Sequence, residues 1–80
     1  MSDRIARLRW QCRRGMLELD AILQPFFEQH FATLSSEQQD DFEQLLTCSD
    51  QDLYFWFIGF NKSSNPKLVA LVNEILNRLD

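Results

Sequence analysis

Residues 49–60 have the sequence Ser-Asp-Gln-Asp-Leu-Tyr-Phe-Trp-Phe-Ile-Gly-Phe, in which the longest apolar run of the chain follows four polar residues. The apolar part is compatible with a buried strand or a buried helix, because so short a run has no diagnostic period. Ser49 lies three residues before Asp52, and a serine followed by carboxylates is typical of a helix N-terminus. No partner strand is evident elsewhere in the sequence. We therefore predict that this segment is a helix and that the fold is all-α.

Two further helix starts lie on either side of this segment. Ser35 and Gln38 have the spacing of a capping box. Asn65 and Pro66 place a favoured capping residue before a proline at the first helical position. Apolar residues that recur with helical periodicity define the remaining faces: Ile5, Leu8 and Cys12; Met16, Leu19, Leu23, Phe26, Phe27 and Phe31; Phe42, Leu45 and Leu46; and Leu68, Leu71, Val72, Ile75, Leu76 and Leu79.

These patterns predict five helices in one small bundle. The first helix is expected to run from Ser2 or Asp3 to Arg14. The second is expected to run without a break to Leu34, bent at Pro25 because proline has no amide hydrogen to donate. The connections are short, so neighbouring helices must pack against one another. The predicted core comprises Leu23, Phe27, Leu45, Leu53, Phe57, Leu71 and Ile75.

Length and composition exclude several classes of protein. A chain of 80 residues with 45% hydrophobic residues suits one compact domain. Two cysteines and one histidine are too few for a disulfide scaffold or an ordinary zinc site. The sequence has no Gly-rich phosphate-binding loop and no apolar segment of about 20 residues that could span a membrane. We therefore expect no metal site, no catalytic residue and no membrane segment.

Charge is distributed unevenly along the chain. Residues 1–14 contain five arginines and one acid, residues 15–60 contain nine acids and no lysine or arginine, and residues 61–80 have a net charge of +1. The basic N-terminus is therefore either complementary to the acidic middle or a docking surface. A pI of about 4.8 disfavours binding to nucleic acid, whose protein partners are usually basic.

Few side chains are candidates for chemistry. His30 has no second histidine or cysteine near it in the sequence and is expected at the boundary of the core. Cys12 and Cys48 lie near apolar stripes and are expected to be buried, unreactive thiols. The arginines beside Cys12 would lower its pKa only if the thiol were exposed.

The aromatic run is expected to lie mostly in the core, because it covers every face of a helix. The alternative is that Tyr54, Trp56 or Phe60 reaches an exposed apolar patch that receives a partner. Trp10, which lies off its helix stripe, is a second candidate for such a patch.

Residues 13–20, Arg-Arg-Gly-Met-Leu-Glu-Leu-Asp, are the most informative segment. Arg13 and Arg14 are expected in the last turn of the first helix, with Gly15 as its C′ residue at positive φ. Arg14 and Glu18 would then face one tight corner, partly exposed and close enough to pair or to be presented together. An ordinary helix–turn–helix corner has the same pattern, so the residues alone leave both interpretations open.

The same segment resembles a known family. Residues 14–18 match the R-G-x-x-E signature of the FAD assembly factors of succinate dehydrogenase, and residues 10–16 are similar to their W-x-C-R-R-G-M run. Further matches follow in order at Asp20, Pro25-Phe26-Phe27, Leu45-Leu46, Asp50-x-Asp52-Leu53 and Trp56. The resemblance covers residues 4 to about 60, and residues 61–80 match only in being helical.

The resemblance implies that residues 1–80 form one helical FAD-assembly-factor domain. Members bind the flavoprotein subunit of succinate dehydrogenase or fumarate reductase and promote covalent attachment of FAD to a histidine of that subunit. It implies a protein that is not an enzyme and that is cytoplasmic in bacteria or lies in the mitochondrial matrix, and for this chain we expect the cytoplasm. We expect a monomer when free. A flavin-binding fingerprint is absent, so we expect the FAD on which it acts to belong to the partner flavoprotein. The implied partner-binding residues are Trp10, Arg13, Arg14, Gly15, Met16, Glu18 and Asp20.

Two other functions stay open at this stage. One is a small nucleic-acid-binding module that uses the arginines of the first helix, Arg4, Arg7, Arg9, Arg13 and Arg14. Helical geometry places Arg7 and Arg14 on one face and Arg9 and Arg13 on another, so these groups do not form a single stripe. The other is an antitoxin-like regulatory protein.

Overall fold

A computed structural model describes residues 3–79 and contains five α-helices and no strand within that range. The helices are α1 (Asp3–Gln11), α2 (Leu17–His30), α3 (Ser36–Leu45), α4 (Asp50–Phe57) and α5 (Pro66–Asn77), and a short 3₁₀ turn (Phe31–Thr33) follows α2. The all-α prediction is confirmed. A helix start at Ser2 lies outside the described residues. None of the helices between residues 3 and 79 has the length and apolar composition needed to cross a bilayer.

The three predicted N-caps are confirmed. Ser35 forms a complete capping box with Gln38 at the start of α3. The Asp52 N–H donates to Ser49 Oγ at 3.1 Å, and the Lys67 N–H donates to Asn65 Oδ1 at 2.9 Å. Each side chain thus satisfies a backbone donor that the first turn of a helix leaves without a partner.

The end of α4 has a cause that the sequence prediction missed. Gly59 adopts a φ of +80°, and the Phe60 N–H donates back to the Phe55 carbonyl at 2.9 Å. The rings of Phe55 and Phe60 lie 4.8 Å apart. This pattern is a Schellman motif with its usual hydrophobic contact. It stops the helix at Phe57, inside the apolar run.

The predicted ends of the first two helices are wrong. α1 ends at Gln11 rather than Arg14, so Gly15 takes its positive φ of +78° in the connection and not as the C′ residue. α2 ends at His30, before the 3₁₀ turn, and Pro25 lies inside it. α1 stops early because the chain turns to bring Arg14 toward α4, as described below.

One cluster of buried side chains forms the core. All seven predicted core residues are buried. Phe42 lies at the centre of an aromatic group, with ring centroids 5.8 Å from Phe26 and 5.5 Å from Phe31. α5 packs on α3 and α4, while α2 packs on α1 and α4. The connection between α1 and α2 therefore lies beside the start of α4.

Candidate partner-binding corner

We use the name α1–α2 corner for residues 10–20, which include the connection between the first two helices. Arg14 is a largely enclosed charged group of this corner, with 15% of its side chain exposed. Its Nε donates to Asp50 Oδ1 at 2.7 Å. Its Nη1 donates to the carbonyls of Leu46 at 2.8 Å and Gln11 at 3.2 Å, and its Nη2 donates to the Cys48 carbonyl at 2.8 Å. Arg14 thus joins the end of α1 to the link between α3 and α4.

The backbone of the corner is fixed by a second contact. The Arg14 N–H donates to Asp20 Oδ1 at 2.7 Å, which ties the connection to the first turns of α2. Gly15 follows at a φ of +78°, a conformation that residues with a Cβ rarely adopt. Asp20 is half-buried, and its Oδ1 accepts this hydrogen bond from the backbone of the corner.

Arg14 and Glu18 do not pair, which was one of the two arrangements that the sequence left open. Arg14 is half-buried, within the expected partial exposure, and Glu18 is exposed. The carboxylate partner of Arg14 is Asp50, 36 residues further along the chain. A guanidinium group has five N–H donors in a fixed fork, which suits a site where helix ends leave carbonyls without partners. The short link from α3 to α4 supplies two such carbonyls, those of Leu46 and Cys48.

The other predicted residues divide into exposed and half-buried groups. Trp10 is 70% exposed, and Arg13, Gly15 and Glu18 are also exposed. Met16 is half-buried and packs against the core. The corner therefore brings the predicted residues together, with Arg14, Met16 and Asp20 half-buried.

Leu17 is an exposed residue that the sequence analysis did not select. Its exposure is 81%, the highest among the large apolar side chains described as exposed. It is the first residue of α2 and lies two positions before buried Leu19, which is about 200° around the helix. That offset from the apolar stripe could have identified it.

Cys12 lies beneath the corner as a buried thiol, as predicted. Its exposure is 1%, and burial raises its pKa to about 12 although the charge of Arg14 acts in the opposite direction. Cys48 is half-buried, and its pKa is also raised, mainly by burial. His30 lies at the edge of the core with its ring 5.4 Å from that of Phe26, which confirms the predicted boundary position.

A groove of about 300 Å³ opens between the end of α1 and one face of α2. Arg9 Nε contacts Glu28 Oε2 at 2.6 Å, joining the two helices. This hydrogen bond, with the attraction of the opposite charges, raises the pKa of Arg9 and lowers that of Glu28. The groove is lined by Arg9, Cys12, Arg13, Asp20, Gln24, Pro25, Phe27 and Glu28.

The N-terminal arginines pair with the acidic middle of the chain, so the self-complementary interpretation is confirmed. Arg4 contacts Asp40 at 2.8 Å and Glu43 at 3.0 Å, and Arg7 contacts Glu43 at 2.8 Å. Arg9 and Arg14 are paired as described above. Within residues 3–79, Arg13 is the one arginine of this segment without a carboxylate inside 4.0 Å. These pairs engage the cations that a nucleic-acid-binding module would need.

A second apolar surface lies at the C-terminal end of α4. Phe60 is 70% exposed and Ile58 is 56% exposed, whereas Tyr54 and Trp56 are half-buried. Of the three aromatic residues predicted as possible contacts, Phe60 alone is thus fully at the surface. This region is at the opposite end of α4 from Asp50, and so it is separate from the α1–α2 corner.

Comparison with known proteins places the chain in a family. Residues 6–79 match the family described as "Flavinator of succinate dehydrogenase". The protein named "FAD assembly factor SdhE" from Photobacterium profundum is 51% identical over 75 residues, covering 94% of this chain and 85% of that protein. The protein of that name from Vibrio cholerae is 45% identical over 75 residues, covering 94% and 87%.

A solved structure also matches. The solution structure of a UPF0350 protein is 44% identical and has a TM-score of 0.78, covering 96% of this chain and 83% of that one. With a family match that spans nearly the whole described chain, this protein belongs to the succinate dehydrogenase flavinator family.

Proposed function

We propose that this protein is an assembly factor that binds the flavoprotein subunit of succinate dehydrogenase and promotes covalent attachment of FAD to it. The observation that supports this most strongly is the family match over residues 6–79. Identities of 45–51% to proteins named as FAD assembly factors, over most of the chain, agree with it.

The protein acts by binding and not as an enzyme. Cys12 is enclosed with a pKa of about 12, and His30 lies against Phe26, away from the corner, so neither is placed as a nucleophile. The new bond joins the flavin to an imidazole of the partner. Holding two reacting groups in the correct geometry lowers a barrier by several kcal/mol, up to about 7–11 in favourable cases. The assembly factor contributes by holding its partner in that geometry.

FAD belongs to the partner in this proposal. The described chain lacks the strand, Gly-rich turn and helix that hold a dinucleotide pyrophosphate. We extend the proposal to the flavoprotein of fumarate reductase, to a monomeric state when free and to the cytoplasm. The two unpaired cysteines agree with a reducing compartment.

The test is co-expression with the flavoprotein subunit in a host that lacks its own assembly factor. Covalently bound flavin is measured by fluorescence of the subunit in a denaturing gel, relative to subunit expressed alone. We expect the wild-type chain to raise the covalent flavin strongly. No increase, with both proteins soluble and present, would contradict the proposed function.

A matched pair of variants locates the site. Glu18 and Glu37 are both exposed and both lie in the first turn of a helix. We expect Glu18→Gln to lower the flavin yield and Glu37→Gln to leave it unchanged. Equal yields from the two variants would remove Glu18 from the site.

A further inference from the structure

We infer that Arg14 is a positioning residue, and that exposed side chains around it, with Leu17 as the apolar anchor, contact the flavoprotein. The inference rests on the proposed function and concerns how the α1–α2 corner performs it. Arg14 is held inside the fold by Asp50 and, through its backbone, by Asp20.

The first argument is the number of donors that Arg14 has left. A guanidinium group offers five N–H donors. Four of them are directed at Asp50 and at the carbonyls of Gln11, Leu46 and Cys48. A carboxylate of a partner would normally bind arginine through two parallel N–H groups. With one donor left, Arg14 has no pair of N–H groups to offer.

The second argument is what Arg14 connects. Its side chain contacts the last residue of α1, the link from α3 to α4 and the first residue of α4. Its backbone N–H is held by Asp20 on α2. The positions of Arg13 and Leu17, a few residues away, are therefore set by the contacts of Arg14.

The third argument is the surface that remains. Leu17 and Trp10 are 81% and 70% exposed. Arg13 and Glu18 have no ion-pair partner among residues 3–79, although most of the arginines nearby are paired. Tryptophan and arginine are enriched among the residues that dominate binding energy at interfaces. The partner surface that fits is an apolar side chain flanked by a carboxylate for Arg13 and a cation for Glu18.

Leu17 also lies in line with the groove. Residues 24 and 28 each fall within about 20° of residue 17 around α2, on opposite sides of it, at 100° per residue. Gln24 and Glu28 line the groove between α1 and α2. A partner segment that covers Leu17 can therefore continue along this face toward Glu28.

The first experiment measures affinity of the full-length chain for the purified flavoprotein subunit, together with melting temperature. Leu17→Ala should weaken binding about tenfold or more, because it removes most of the exposed apolar surface that the partner would cover at this position, and should leave the melting temperature unchanged. The control is Ile58→Ala, which removes an exposed apolar side chain from the end of α4 and should change neither quantity. Normal binding by Leu17→Ala would overturn its role as anchor.

The second experiment is a double-mutant cycle in binding. If Arg14 acts through Asp50, the double variant Arg14→Ala, Asp50→Ala should bind no more weakly than Arg14→Ala. Losses that add would show that Arg14 and Asp50 act independently of each other, which would overturn the positioning role. Asp50→Asn keeps an oxygen acceptor for Nε and should bind within about threefold of wild type, whereas Asp50→Ala should not.

These outcomes separate the two proposals. If Arg14→Ala does not fold, the comparison of Asp50→Asn with Asp50→Ala still tests whether the Arg14–Asp50 hydrogen bond positions the contact surface. Equal affinities of these two variants would overturn that role. Absence of binding by the wild-type chain would overturn the proposed function itself. Binding by wild type with additive losses would overturn the positioning inference alone.

Discussion

The side chains of Arg14 and Asp50, 36 residues apart, join through a 2.7 Å hydrogen bond from Nε to Oδ1. The arginine side chain is 15% exposed and the aspartate 45%, so water screens the contact only in part. Asp50 is also the first residue of α4, where the helix dipole favours a carboxylate. The pair thus connects the signature arginine to the helix that contains the aromatic run.

Arg14→Ala should lower the free energy of unfolding by about 2–3 kcal/mol. The variant leaves Asp50 and the carbonyls of Leu46 and Cys48 without their charged donor, and hydrogen bonds to charged groups contribute about 1.5–3 kcal/mol each before screening. Urea denaturation measures the change. Glu18→Ala is the control. Because the Glu18 side chain is exposed, the free energy of unfolding of this variant should stay within about 0.5 kcal/mol of the wild-type value. Equal stability of the two variants would contradict the enclosed position of Arg14.

The sequence was sufficient for features that depend on nearby residues. Ser35, Ser49 and Asn65 cap their helices as predicted, because a cap needs only a side chain and the backbone two or three residues later. The core stripes were equally readable, since helical periodicity decides which residues face inward.

The features that the sequence analysis did not predict depend on contacts between distant residues or on turn geometry. The partner of Arg14 is 36 residues away, and no local pattern distinguishes Asp50 from Glu18 as its partner. The early end of α1 follows from that contact. The role of Gly59 was missed because the residue lies within an apolar run, although glycine followed by an apolar residue is typical of a Schellman motif.

Gly15 and Gly59 form a matched pair for testing backbone strain. Their φ values are +78° and +80°, and an added Cβ would meet nothing within 4 Å at either position. Each Gly→Ala variant should therefore lose about 1–2 kcal/mol of stability from backbone strain alone. In flavinylation assays below the melting temperature, Gly15→Ala should lower covalent flavin yield and Gly59→Ala should not. Equal covalent flavin yields from the two variants would show that Gly15 is not part of the contact surface.

Leu71 tests the packing of the last helix. It is 3% exposed within the core cluster on α5, whereas Leu76 on the same helix is 37% exposed. Leu71→Ala should lower the free energy of unfolding by about 2–5 kcal/mol, the range for buried leucines. Leu76→Ala should cost clearly less. If chemical denaturation showed a larger loss for Leu76→Ala than for Leu71→Ala, the assignment of the buried face of α5 would be wrong.

The Arg9–Glu28 pair predicts a response to acid. Arg9 lowers the pKa of Glu28 below its ordinary value of 4.5 in the folded state. A depressed carboxyl pKa contributes stability that is present above pH 4.5 and is lost as pH falls through the folded-state pKa. The difference in melting temperature between wild type and Glu28→Gln should therefore shrink as pH is lowered below 4.5. A difference that stays constant down to pH 2 would show that the pair does not stabilise the fold.

Cys12 predicts a response to alkali and to thiol reagents. Its folded-state pKa of about 12 lies above its ordinary value of 9.0, so the unfolded chain releases this proton first as pH rises. Stability from the buried thiol is complete below pH 9 and is lost between pH 9 and about 12. Comparing the pH dependence of melting for wild type and Cys12→Ala isolates this contribution, since the other titrating groups are shared. The melting temperature of the wild type should fall more steeply than that of the variant over that range.

At neutral pH, a thiol reagent should modify the half-buried Cys48 first and reach Cys12 only when the domain opens. Rapid modification of Cys12 in the folded Cys48→Ala variant would contradict its burial beneath the α1–α2 corner.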